Sequence, residues 1–270
     1  MGCVHEYGRT ANFENGVSEV MDTLSTQIAL DVFLRGFSTT RSFTKPFEVR
    51  QASDSVWMLA DPPGGKPPQR TPEFICYGAE ANEVVEAIQR QQVERHMLCV
   101  LLNESDSVTD VVAAYKQRGY RFGGREPLFV LPLADRTHFS AVPVRRVVNA
   151  DDAALLAKAA RARQIHPQHL TEDDSVCRLY AAFEDGLPIG WVRSIRTHRD
   201  CAWVSTMYVD PAHRRKGIGR TLLSAMLDDD ERYGVRWSVL LASLTGALLY
   251  PHLGYRQQGL LLLFTPKKPR

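Results

Sequence analysis

One stretch constrains this chain more than any other: Val209-Asp-Pro-Ala-His-Arg-Arg-Lys-Gly-Ile-Gly-Arg-Thr-Leu-Leu223. A strand-like apolar run ends at Val209, and Pro211 breaks the pattern. Arg214, Arg215 and Lys216 follow, then Gly217 and Gly219 around Ile218. The chain passes directly into an apolar-periodic run, Ile218, Leu222, Leu223, Met226 and Leu227. That spacing predicts a helix over Ile218–Tyr233 with one face on a sheet. Glycine is costly inside a helix, and cations are unfavourable at its start. A glycine turn that opens a helix presents unpaired N–H groups and the positive end of the helix dipole. Phosphate is the natural guest there, and the three cations add charge for it.

Two familiar phosphate loops do not fit. The pattern G-x-x-x-x-G-K-[ST] is absent. The dinucleotide fingerprint needs G-x-G-x-x-G directly after a strand, whereas Gly217-Ile-Gly219 lacks the third glycine and lies about eight residues past the strand. A third pattern, Arg/Gln-x-x-Gly-x-Gly/Ala, is met at every fixed position by Arg214-Arg-Lys-Gly-Ile-Gly219.

Elsewhere, strands alternate with helices, which gives an α/β or α+β class with a mixed sheet. Residues 1–16 are polar and aperiodic and read as a flexible tail. Val17, Met21, Leu24, Ile28 and Val32 mark an amphipathic helix ending near Gly36. Val56–Ala60, Glu73–Tyr77, Met97–Leu102 and Leu128–Pro132 read as strands, Glu80–Arg90 and Asp106–Arg118 as helices, and Asp61–Pro68 as a loop. Ala134–Pro143 is polar and pattern-free. We place an inter-domain linker at 136–143, between units at 17–135 and 144–270. In the second unit, strands are expected at Val144–Val148, Ile189–Ile195, Ala202–Val209, Val235–Ala242 and Leu260–Phe264, with helices at Ala153–Arg163 and Thr245–Leu253.

An internal echo links the units. Tyr115-Lys-Gln-Arg-Gly-Tyr120 and Tyr250-Pro-His-Leu-Gly-Tyr255 share Tyr-x-x-x-Gly-Tyr. Each is followed by Arg (Arg121, Arg256) and an apolar strand. Helix–Gly–aromatic endings are common, but the matching order of elements favours duplication.

Composition removes several classes of function. The chain has 270 residues and a net charge of +2, so no polyelectrolyte character drives it to nucleic acid or a membrane. No apolar run approaches a membrane span, and the N-terminus lacks a secretory pattern. Five cysteines, Cys3, Cys76, Cys99, Cys177 and Cys201, show no ligand spacing and read as reduced, mostly buried thiols in a cytoplasmic protein. No metal is expected.

The segment 144–270 resembles the GNAT superfamily of acyl-CoA-dependent N-acetyltransferases. Met207-Tyr-Val-Asp-Pro211 is similar to that family's fourth strand and its exit. Arg214–Gly219 is similar to its pyrophosphate loop, and Leu241–Tyr255 to its closing motif. The N-terminal unit resembles the fold only weakly and lacks the loop, so it reads as a degenerate second copy in tandem. The resemblance implies acetyl-CoA as co-substrate and an arm in a gap beside Met207, Tyr208 and Val209. It implies a diphosphate on Arg215, Lys216, Gly217, Ile218, Gly219 and Arg220, with Arg214 reaching outward. Ser243 stands where many members have Asn, which leaves its contact open. Tyr250 occupies the position of the acid for the departing thiolate, and the Met207 amide that of the oxyanion donor. The implied activity is acetyl transfer to a primary amine of a small molecule or peptide. The alternative is a non-catalytic acyl-CoA-binding sensor or an interaction module. Glu172, Asp173, Asp174, His166 and His169 lie in an acceptor-site segment, with the base unassigned. Oligomeric state is not encoded.

Overall fold

Short apolar runs too brief for helices, each bounded by turn residues, must pair laterally to satisfy their backbone groups. In the computed structural model they do so in one sheet. The structure describes residues 24–64, 69–198, 200–244 and 246–267. The tail 1–16, Val17, Met21, Cys3 and Thr245 lie outside the described residues.

The strands are β1 (Glu48–Ser53), β2 (Val56–Ala60), β3 (Glu73–Tyr77), β4 (Met97–Leu102), β5 (Tyr120–Pro132), β6 (Val144–Arg146), β7 (Cys177–Glu184), β8 (Leu187–Arg196), β9 (Cys201–Val209), β10 (Trp237–Leu241) and β11 (Arg256–Pro266). The helices are α1 (Thr26–Ser42), α2 (Ala81–Arg90), α3 (Val108–Gln117), α4 (Ala150–Ala160) and α5 (Ile218–Arg232). The strands form an 11-stranded sheet in the order β1-β2-β3-β4-β11-β5-β10-β9-β8-β7-β6. Two neighbouring pairs are parallel, β3 with β4 and β9 with β10, and the rest are antiparallel.

This order has a near-palindromic sense about the β11–β5 pair. The last strand of the chain, β11, pairs with β4 of the first half, and β5 of the first half pairs with β10 of the second. The segments expected as separate tandem units therefore share one sheet. Residues 136–143 hold no helix or strand, yet they are pinned. The Phe139 N–H donates to Ser224 Oγ and the Ala141 N–H to Thr221 Oγ1, both at 3.0 Å.

Side chains alternate across a strand, so neighbours reveal which face each element covers. Trp203 packs in a core with α1, while Ala202 and Val204 pack with α5. Helix α1 therefore lies on one face of β9 and α5 on the other. Gly36 makes that approach possible, because a Cβ there would sit 2.1 Å from Trp203 Cγ. The helix continues past Gly36 to Ser42, further than its apolar stripe predicted. Ile28 of that stripe is 45% exposed, and Leu30, Phe33 and Leu34 are buried instead.

Strands β1 and β7 are absent from the sequence reading. In β1 no residue is fully buried, and in β7 six consecutive residues are, so neither alternates. The helix expected at Thr245–Leu253 is two 3₁₀ turns, Gly246–Leu248 and Tyr250–Leu253.

The acidic run Asp228–Glu231, unfavourable near a helix C-terminus, is explained by its partners. Asp228 and Glu231 pair with Arg136. Asp229 accepts from Tyr180 Oη at 2.6 Å, and Asp230 pairs with the buried Arg178 and accepts from Ser194 Oγ at 2.7 Å. These contacts fix the C-terminal turns of α5 to the sheet and to the 136–143 segment.

Candidate active site

Strand β9 is where the sheet opens. Its parallel ladder with β10 holds only Trp237↔Cys201, Ser238↔Ala202 and Val239↔Trp203. Beyond Trp203, β9 runs on to Val209 with no partner on that side among the described residues. Its other edge stays paired with β8. One extra residue on β9 distorts that second ladder: Arg193 pairs with Ser205 and Trp191 with Tyr208. Thr206 at this bulge has φ +50°. A non-glycine residue there is strained by about 1 kcal/mol and turns the amides that follow. The result is a free backbone edge over Val204–Val209, able to pair with an extended, amide-bearing ligand.

The corresponding place in the first half is closed. Strands β3 and β4 pair along their whole length, from Glu73↔Met97 to Tyr77↔Leu101. Tyr115 and Cys76 are buried there, with the Tyr115 hydroxyl 3.7 Å from Cys76 Sγ.

The Arg214–Arg220 turn lies where β9 leads into α5. Gly217 is the N-cap residue at φ +81°, and no side chain caps the helix. The N–H groups of Ile218, Gly219 and Arg220 begin α5 and have no intrahelical acceptor. Arg214, Arg215 and Lys216 are exposed beside them. The glycines are needed for space as well as conformation. A Cβ on Gly217 would sit 2.8 Å from Phe139 Cε1, and one on Gly219 would sit 3.1 Å from Met207 Cε. Phe139 therefore backs the turn, and the Arg220 guanidinium stacks 3.9 Å from its ring centroid. Arg214 is turned inward, its Nε donating to the Val209 carbonyl at 3.1 Å. His213 clamps the start of the turn, with Nε2 2.7 Å from a Glu184 oxygen and Nδ1 3.2 Å from Asp210. Glu184 foremost, and Asp210 after it, hold the His213 pKa above its usual value.

Tyr250 is brought to the same core as Val204, Met207, Leu240 and Leu249. It is buried against Phe129 and Tyr255, with ring centroids at 5.8 Å and 5.6 Å. Burial pushes its pKa up to about 12, so it keeps its proton at neutral pH. Its hydroxyl has no hydrogen-bond partner among the described residues. Ser243 is exposed and its Oγ accepts from the Gly246 N–H at 3.2 Å.

The structure places Met207, Val209, Ile218 and Tyr250 in one core, with the 214–220 turn after the end of β9 and the Tyr208 ring stacked on Trp191 at 4.4 Å. It disperses the acidic residues from the acceptor-site segment. Asp174 is paired with Arg178 and Arg196, and Glu172 and Asp173 lend backbone carbonyls to Arg146. His169 Nδ1 lies 2.9 Å from Ser175 Oγ, and His166 stacks on Phe43 at 4.7 Å. Burial first, then positive neighbours, holds both histidine pKa values low.

Sequence reasoning missed three contributors. Phe139 lay in a pattern-free segment, and Gly36 in a helix with no visible partner. The third is Arg193, buried on β8 within an apolar run. Its Nε and Nη1, with Ser205 Oγ and Trp203 Nε1, have no hydrogen-bond partner among the described residues. Each buried orphan costs about 1–3 kcal/mol, so a cluster of them calls for a reason.

Comparison with known proteins finds one family over part of the chain. The acetyltransferase (GNAT) domain family matches residues 175–257, which include β7–β10, the turn and Tyr250. An L-methionine sulfoximine/L-methionine sulfone acetyltransferase of Salmonella typhimurium is 33% identical over 99 residues, 36% of this chain. The chain spans about half, 52%, of that curated relative's length. Among solved structures, a GCN5-related N-acetyltransferase from Kribbella flavida superposes with a TM-score of 0.59 at 16% identity, covering 87% of this chain and 95% of that one. A tandem GNAT protein from the clavulanic acid biosynthesis pathway superposes at 0.51 and 15% identity, covering 80% of each chain. These two show the fold. Over residues 175–257 the chain is thus similar to the acetyltransferase (GNAT) domain family, within a mixed α/β sheet that superposes on GNAT structures.

Proposed function

We propose that the protein transfers an acetyl group from acetyl-CoA to a primary amine of a small molecule or peptide, by direct attack with both substrates bound. The observation that carries this is the combination of an unpaired β9 edge with an uncapped, glycine-opened helix at its end. The residues fit the co-substrate. Donors for a diphosphate would be the Ile218, Gly219 and Arg220 amides, and the exposed Arg215 and Lys216 would add charge. Gly217 would open the helix that receives the diphosphate, and Ser243, exposed after β10, would contact the co-substrate from there. An amide-bearing arm would pair with Met207, Tyr208 and Val209.

Acetyl-CoA supplies an activated thioester. Attack needs a neutral amine, and an unperturbed lysine-like amine is only about one part in a thousand neutral at pH 7. A base must therefore take a proton, in line with general-base practice. The Met207 amide is the donor for charge that develops on the carbonyl oxygen. Tyr250 donates its proton to the departing sulphur. Its raised pKa keeps that proton available, and its hydroxyl has no competing partner among the described residues.

The first half is in this reading a second copy of the fold that holds no cofactor. Supporting it, Gly119 and Gly254 both have positive φ, and each follows a Tyr whose ring meets the next Tyr edge-on, at 6.0 Å and 5.6 Å. Its β3–β4 pair is zipped from Glu73 to Tyr77, and Tyr115 is buried beside Cys76.

The test is turnover of acetyl-CoA with a panel of amines, read as released thiol, in wild type and Tyr250→Phe. Acetylation of at least one amine, with kcat reduced roughly 10–1000-fold in Tyr250→Phe and CoA affinity retained, is expected. CoA binding with no turnover of any amine, and Tyr250→Phe indistinguishable from wild type, would support the sensor reading instead.

A further inference from the structure

Arg193 on β8 is 1% exposed. Its Nη2 donates to Gln164 Oε1 at 3.0 Å. One face of the guanidinium lies 3.9 Å from the Phe43 ring centroid, a contact that consumes no donor. Nε and Nη1 have no partner among the described residues. The contrast with Arg178 is sharp. That arginine is equally buried on the opposite face and is paired with Asp230. Arg193 is paired with no carboxylate among the described residues. Burial pulls its pKa down to about 10, with only the Cys177 thiol opposing.

The location connects it to the opening. Arg193 is the cross-strand partner of Ser205, where the free edge of β9 passes into its bulge. Residues directly opposite in an antiparallel pair share a face. Trp203, two residues back, shares it too. The unpartnered Arg193 donors, Ser205 Oγ and Trp203 Nε1 are therefore on the side of β9 away from α5 and its turn. The walls come from both halves of the chain: Phe43 at the end of α1, and Gln164 and His166 after α4. A planar, charged fork with two buried, unpaired edge donors is chemically matched to the two oxygens of a carboxylate. Its third donor nitrogen, Nη2, already has a neutral acceptor in the Gln164 side-chain carbonyl.

We infer that Arg193 is the carboxylate-binding residue of the acceptor site, so that the amine acceptor is a small molecule bearing a free carboxylate. The amine half of this statement rests on the transferase reading above. The anion half stands on the surroundings of Arg193 alone.

The experiment compares matched acceptors: L-methionine sulfone with its decarboxylated amine, and L-lysine with cadaverine. In wild type, kcat/KM for the carboxylate member is expected to be roughly 10–100-fold higher. Arg193→Met brings that ratio to within about threefold, and Arg193→Lys restores part of it. Melting without ligand is read alongside. Exchange to Met removes a buried charge that has no counter-ion, so Arg193→Met is expected to melt above wild type. A structural arginine would give the reverse. Equal kcat/KM for both members in wild type, or faster acetylation of lysine within a carboxylate-blocked peptide, overturns the inference. So does an Arg193→Met protein that melts lower and keeps the ratio. If no amine is acetylated, the transferase reading fails separately. Calorimetry of L-methionine sulfone without acetyl-CoA then decides the anion site: saturation in wild type and none in Arg193→Met supports it, and no saturation in wild type overturns it.

Discussion

His213 joins two carboxylates, Glu184 from the β7–β8 hairpin and Asp210 at the exit of β9. Its pKa is raised by them from a usual 6.5. The sign follows from linkage: the clamp contributes fully below about 6.5 and is lost as pH rises through the raised value. His213→Gln should therefore weaken CoA binding more at pH 6 than at pH 9, measured by calorimetry at both. Equal loss at the two pH values would remove His213 from the turn's support. At this scale the sequence was informative where a residue type is locally improbable. Gly217 and Gly219 at the start of a helix, and Tyr250 before Gly254, stand out on their own. Arg193 does not. Its burial is decided by Phe43 and Gln164, which no local pattern brings to it, and a lone arginine in an apolar strand looks the same whether it is covered or solvated.

Helix α5 links the turn to the sheet through its opposite end. Asp230 is fully buried, and burial pushes its carboxyl up against the pull of Arg178. Removing one member of such a pair strands the other charge and typically costs about 3–5 kcal/mol. Asp230→Asn should lose stability of this order in urea unfolding, while Arg178→Met combined with Asp230→Leu recovers most of it. A loss below about 1 kcal/mol in the single variant would mean the pair does not hold α5 in place. The helix itself was legible from Ile218, Leu222, Leu223, Met226 and Leu227, all buried as the spacing requires. Its acidic end was not, because Arg136, Arg178 and Tyr180 are brought to it only by the fold. Strand β7 escaped notice for a related reason: with both faces covered, Cys177–Ala182 has no alternation to read.

On the scale of the molecule, β11 and β5 are exchanged between the halves, so neither half closes its own sheet. A protein cut to residues 136–270 loses β5 and leaves β10 and β11 with open edges. It should be unstable or self-associate in light scattering, whereas coexpressed 1–135 and 136–270 should copurify. A monodisperse, folded 136–270 monomer would contradict this. The Tyr-x-x-x-Gly-Tyr echo is a local pattern that a sequence displays directly. The exchange was hidden, since strand partners far apart in the chain leave no local mark. Helix α1 from the first half covers Trp203, and Phe43 after it stacks on Arg193, so the α1 side of β9 and β8 is built by both halves.

The central claim is that a diphosphate sits at the mouth of α5 and an amide-bearing arm fills the gap between β9 and β10. A crystal structure with bound coenzyme A tests it most directly. The account predicts phosphate oxygens within hydrogen-bond distance of the Ile218, Gly219 and Arg220 amides, with the arm paired to Met207–Val209. Coenzyme A bound elsewhere, or β9 and β10 zipped together beyond Trp203 in that crystal, would contradict it.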